Sequence, residues 1–100
     1  MSENRVLLTG KLCERAALRY TPAGLPALNF RIAHASEQQE AERPRKVLLD
    51  IACVALGGTA EALSRADTDM QYQFEGFLAL RNQQSRQPTF HVTKFELARI

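Results

Sequence analysis

Five short stretches of this chain alternate apolar and polar residues with period two, and no other feature limits its folds as strongly. Residues 5–12, RVLLTGKL, set Val6, Leu8, Gly10 and Leu12 against Arg5, Leu7, Thr9 and Lys11. Successive side chains of an extended strand point to opposite faces, so this pattern buries one face and wets the other. Gly10 interrupts the buried row, as a bulge or a bend at a barrel corner requires. Residues 20–26 read as a turn, in which Pro22 presets φ and Gly24 accepts a positive one. A second strand over 27–34 puts Leu28, Phe30 and Ile32 on one face and Asn29, Arg31 and Ala33 on the other.

The segment 35–46, ASEQQEAERPRK, is polar and contains Pro44, which predicts a mobile, solvated loop. A third strand follows over 47–56, with Val47, Leu49, Ile51 and Cys53 inward and Leu48, Asp50 and Ala52 outward. Gly57 and Gly58 end it. Thr59 is placed to cap a short helix over 60–65, with Glu61 near its positive end. A turn at 67–69 leads to a fourth strand over 71–80, with Tyr72, Phe74, Gly76 and Leu78 sharing a face. A polar loop, RNQQSRQP, then precedes a fifth strand over 89–97. In that strand Phe90 and Val92 share a face and Phe95 falls out of phase, so an irregularity is expected.

Five strands with one short helix between the third and fourth follow the order of an all-β, five-stranded OB-fold barrel. Periodicity alone does not close the barrel, and a half-open five-stranded sheet fits the same pattern. A chain of 100 residues is expected to form one such domain over 1–100.

Thirteen basic residues against 11 acidic ones leave a net charge of +2, so the placement of the cations matters more than their sum. Arg43, Arg45 and Lys46 flank Pro44 as a candidate phosphate grip, whose affinity would fall with salt as counterions are released. The plain alternative is a solvated charge run. Arg81 and Arg86 bracket a loop without acids, which in an OB fold lies beside the oligonucleotide-binding face. Guanidinium planes stack on bases as well as meeting phosphates. Exposed rings also stack bases. Phe30, Tyr72 and Phe74 point inward on this phasing, leaving Tyr20, Phe77, Phe90 and Phe95 as candidates, with Tyr20 first because it adjoins Arg19.

Catalysis has no foothold in the sequence. His34 and His91 lack a Cys or acid at ligand spacing, so no metal is expected. Gly57-Gly58-Thr59 lacks the phosphate-loop frame, and Ser36, Ser64 and Ser85 have no nearby His and carboxylate. The expectation is a non-enzyme without cofactors. Cys13 and Cys53 cannot build a disulfide framework, and Cys53 reads as a small buried hydrophobe. The opening MSENRVLL lacks a basic leader, and no run reaches the ~18 apolar residues of a membrane span. A cytoplasmic protein without membrane contact is expected.

Residues 4–12 (NRVLLTGKL), 18–24 (LRYTPAG) and 29–34 (NFRIAH) resemble the bacterial single-stranded DNA-binding protein superfamily. YQFEGFL over 72–78 is similar to the family's fourth-strand pattern around Gly76. The turn from Pro22 to Pro26 and the His34-x-Ser36 ending point to its primosomal branch. The resemblance covers nearly the whole chain, more specifically at the N-terminus than in the third strand and the C-terminal third. It implies a homodimer that binds single-stranded DNA and bridges it to the PriA helicase and DnaT during replication restart. Matching positions place DNA contacts at Arg19, Arg45 and the 81–86 loop. With the cations and outward residues read above, the expected DNA-binding set is Arg19, Tyr20, Arg31, Arg43, Arg45, Lys46, Leu48, Arg81, Arg86 and Lys94.

Two departures bear on affinity. Leu48 stands where the family can place a Trp, and Ala35 where a basic residue can occur. Both imply weaker DNA binding or a larger role for protein contacts. The alternative reading, also motivated by Glu37, Glu40, Glu42 and Asp50, is a protein-interaction OB module with weak or no DNA binding. The ending ELARI is unlike the acidic, Phe-ended tail of full single-stranded DNA-binding proteins, so tail-mediated recruitment is not expected. The outward Leu7 is a candidate dimer contact.

Overall fold

In the computed structural model, which describes residues 2–99, the alternating stretches become β1 (Val6–Cys13), β3 (Pro26–Glu40), β4 (Arg43–Leu56), β5 (Gln71–Leu80) and β6 (Pro88–Leu97). A two-residue β2 (Arg19–Tyr20) and the helix α1 (Gly58–Arg65) complete the described elements. The sheet order is β1-β5-β6-β4-β3-β2, and β1 also pairs with β3, so five strands close on themselves with β2 as an added edge. Every pairing is antiparallel except β4 with β6, where Cys53 meets Phe90 and Val54 meets His91 in parallel. This is the OB barrel that the element order predicts, and closure decides against the half-open sheet.

The inward faces supply the core. Leu12, Leu28, Phe30, Ile32, Cys53, Tyr72, Phe74, Phe90 and Val92 are buried together, with Ala60 and Leu63 added from α1. Burying a large apolar side chain stabilises the fold by about 1.5–3 kcal/mol, so this set carries most of the driving force. Phe74 is its centre, with the rings of Phe30, Tyr72 and Phe95 at centroid distances of 6.2, 5.8 and 6.4 Å. Phe90 and Phe95 therefore belong to the core and are not platforms for bases. Burial pushes the Cys53 thiol up to about 12, so it stays protonated and packs as a small hydrophobe.

Barrel closure rests on two close backbone approaches. β1 pairs with β5 through Lys11, then with β3 from Lys11 onward, so it changes partner just after Gly10. A Cβ on Gly10 would lie 2.5 Å from the Ala33 carbonyl oxygen. A Cβ on Gly76 would lie 1.8 Å from the His91 carbonyl oxygen. Beside Gly76 the β5–β6 register jumps from Glu75 opposite Lys94 to Gly76 opposite Val92, leaving Thr93 as the extra residue of a bulge. The bulge returns Phe95 to the core side, which explains its phase in the sequence. Thr93 Oγ1 donates to the Glu75 carbonyl at 3.2 Å, and Thr59 Oγ1 donates to the Thr93 carbonyl at 3.1 Å.

Several expectations are corrected here. Residues 35–46 are not a loop. β3 and β4 stay paired out to Glu40 opposite Arg43, and only Ala41 and Glu42 turn the chain, with φ of 52° and 64°. Two successive positive φ values are what a tight right-twisted hairpin demands. The ribbon is polar because it leaves the barrel and both its faces meet water, and Pro44 is tolerated because one edge of β4 is free there. For the same reason Leu49 is 41% exposed although its phase points inward. The helix begins at Gly58 with Gly57 as its N-cap, and Thr59 lies inside it, bonded to the bulge rather than capping. Its C-terminal carbonyls are met instead by Arg15, whose Nη1 donates to Leu63 O and Ala66 O. The segment expected as a turn from residue 20 begins one step later, since Arg19 and Tyr20 pair with Ala27 and Pro26.

Substituting Gly76→Ala is expected to destabilise the protein by about 3 kcal/mol, because backbone atoms rather than a flexible side chain must yield. Gly58→Ala, where an added Cβ meets nothing within 4 Å, is expected not to destabilise. Urea denaturation of both variants measures the contrast.

Candidate nucleic-acid interface

The outward residues of β3 and β4 form one face. Alternation and register set Asn29, Arg31, Ala33 and Ala35 beside Val54, Ala52, Asp50 and Leu48. Three hollows follow one another along this face. One of about 370 Å³ is lined by Arg19, Asn29, Val54, Leu56, Leu80, Arg81, Thr89 and His91. The next, of about 640 Å³, lies between the strands and the 81–87 loop, with Arg31, Asp50, Ala52, Arg81, Asn82 and Gln84 among its walls. The third, of about 620 Å³, is formed by Lys11, Ala33, His34, Ala35, Leu48, Leu49, Asp50 and Gln71. Neighbouring hollows share Arg81 and Thr89, then Leu49 and Asp50, so the three make a continuous track.

Local contacts hold the cations in place. Arg19 forks onto Asn29 Oδ1 through Nε at 3.1 Å and Nη2 at 2.9 Å. Arg31 Nε donates to Asp50 Oδ1 at 2.5 Å and its Nη2 to the Asp50 carbonyl at 3.1 Å. That pairing raises the Arg31 pKa above its ordinary value. Asn82 Oδ1 accepts from the Gln84 and Ser85 amides at 3.0 and 2.9 Å, an Asx turn that shapes the loop carrying Arg81. At the first hollow the His91 ring stacks on Phe77, with centroids 4.9 Å apart and planes 11° off parallel.

A family model described as a single-strand binding protein family matches residues 4–94. The replication restart protein PriB of Nitrosomonas europaea is 35% identical over 92% of this chain and 85% of its own length. That of Bordetella pertussis is 40% identical over 89% and 83%. The chain belongs to the PriB family. A solved structure of PriB from Ralstonia solanacearum superposes with a TM-score of 0.88 at 31% identity, covering 98% of this chain and all of that one. A single-stranded DNA binding protein from Thermus aquaticus, at 22% identity and a TM-score of 0.73, shares the fold.

Within this PriB-family barrel the residues expected from sequence divide into groups. Arg19, Arg31, Leu48 and Arg81 line the track. Lys46 continues it, two positions beyond Leu48 on the same face of β4. Arg86 shares the 81–87 loop but does not line the hollows. Arg43 and Arg45 fall on the opposite face of the ribbon, and Arg45 Nη1 is bound to Glu40 Oε1 at 2.8 Å. Tyr20 is exposed, yet alternation turns it from the face that Arg19 occupies. Lys94 lies elsewhere on the barrel, opposite Glu75 in a small hollow with Leu7 and Glu96.

The sequence reading leaves out Lys11 and Asn82, and it offers Phe77 as a ring without His91 stacked on it. Lys11 is the outward neighbour of Gly10, and its value depends on β1 reaching β3. In the sequence His91 shows only that it lacks metal-ligand spacing. Only the β5–β6 register brings it against Phe77.

Proposed function

We propose that the chain is a single-stranded DNA-binding accessory protein of replication restart, working by binding and bridging without making or breaking bonds. The observation that carries this reading is the continuous track along β3 and β4, with cations at both ends, the Arg31–Asp50 ion pair at its centre, and apolar or uncharged residues making up most of the remaining lining. A strand in the track would meet Lys11 and Lys46 at one end and Arg19, Arg81 and the 81–87 loop at the other. The apolar floor of Val54, Leu56 and Leu80 suits unstacked bases, and the Phe77–His91 stack offers a ring surface beside it. Membership of the PriB family supports a role at the primosome, and with it PriA helicase and DnaT as partners.

A homodimer fits the same reading. Over residues 6–10, β1 is paired on one side with β5, and Leu7 beside that free edge is 53% exposed. A second copy would satisfy the edge. Sedimentation equilibrium is expected to return twice the 11.2 kDa chain mass.

A protein-directed surface is the second reading. It is favoured by Leu48, 76% exposed at the base of a ribbon carrying Glu37, Glu40 and Glu42. Oligo-dT binding measured against salt separates the two. Replacing Arg81 and Arg86 together by Ala is expected to weaken binding and flatten the salt slope by up to about 1.4, at about 0.7 per phosphate on a single strand. An unchanged slope would remove the loop from the site. Leu48→Trp is expected to strengthen binding by about 1–3 kcal/mol through base stacking, read by fluorescence anisotropy and quenching of the new indole.

A further inference from the structure

We infer that Asp50 is a built-in electrostatic brake on this track, which cancels Arg31 and repels the phosphate backbone where the two larger hollows meet. The inference rests on the nucleic-acid reading proposed above and concerns how that site is regulated.

Asp50 sits at the centre of the track, where the second and third hollows meet. Among the described residues it is the one carboxylate lining any of the three hollows. Of the other acids, Glu14, just past the end of β1, also reaches Arg31 but lines none of the hollows. Glu37, Glu40 and Glu42 belong to the ribbon, and Glu75 and Glu96 line the hollow that holds Lys94.

Among the described residues, Arg31 is the one cation in an ion pair with Asp50. Arg31 reaches Asp50 from the neighbouring strand and gives it two donors, one to the carboxylate and one to the backbone carbonyl. Glu14 Oε2, 3.9 Å from the same Nε, adds a second, weaker claim. A phosphate meeting Arg31 must compete with the Asp50 carboxylate for the guanidinium and then lie beside that carboxylate. Both steps oppose binding. The pair is half-exposed, so water screens it and the brake is graded rather than absolute.

The arrangement makes a separable prediction. Asp50→Asn keeps the size of the side chain and removes its charge, freeing Arg31 for a phosphate. In oligo-dT titrations against salt, this variant is expected to bind roughly five- to tenfold more tightly at low salt, with a slope steeper by about 0.7. Glu96→Gln changes net charge equally but lies off the track, and it is expected to leave the slope at the wild-type value. Arg31→Ala placed in the Asp50→Asn background is expected to abolish the added slope. A general change of net charge or of folding would not produce that loss. Asp50→Ser, which cannot mimic the carboxylate geometry, provides a second route to the same result.

If Asp50→Asn and Asp50→Ser match the wild type while the Arg81/Arg86 double variant loses slope, the site stands and the brake is overturned. If the wild type and both Asp50 variants bind oligo-dT no better than background, and the double Arg variant changes nothing, the nucleic-acid reading itself fails.

Discussion

The close approach of β5 to β6 at Gly76 holds this barrel in register, and the groove depends on that register. With no side chain at Gly76, the His91 carbonyl comes in against the strand, and the Thr93 bulge takes up the extra residue. The bulge keeps Phe90, Val92 and Phe95 on the core side although their spacing in the chain breaks period two. It also sets His91 over Phe77. Thr59 ties the helix to the same bulge, so α1, β5 and β6 are coordinated through one irregularity.

Around that scaffold the outer face balances attraction and restraint. Its cations stand at the ends of the track, and its centre carries an ion pair whose charges cancel. The floor is aliphatic where a base-stacking ring is absent. On the proposed reading, a surface built this way would make few phosphate contacts, so few counterions would be released and the salt slope would be shallow. The ribbon beyond the barrel follows the same principle. Its cations and acids face one another across the strands, as Arg45 does with Glu40, and little net charge is left to project.

The sequence showed the five principal strands, the helix and the inward rows with little error, because period-two burial is written directly into residue order. It fails at residues 35–46, where polarity predicts a loop and the strands stay paired. A two-stranded ribbon with both faces in water has no apolar row to reveal it, and its turn, Ala41-Glu42, lacks the Asn-Gly signature that such a conformation favours. The same error misplaced Arg43 and Arg45, which a loop would have left free and a strand assigns to the back of the ribbon.

Residue order alone determined that the chain must pair short strands around one apolar core, and that its family is one of single-strand binders. It also showed that Leu48 faces outward without a ring. Only the tertiary structure decided which cations share a surface. Strand alternation sends Lys46 and Arg45 to opposite faces, β1 brings Lys11 across to β3, and register carries Arg31 to Asp50. These placements depend on how far β3 and β4 stay paired, on their register and on barrel closure, none of which a local pattern of residues records.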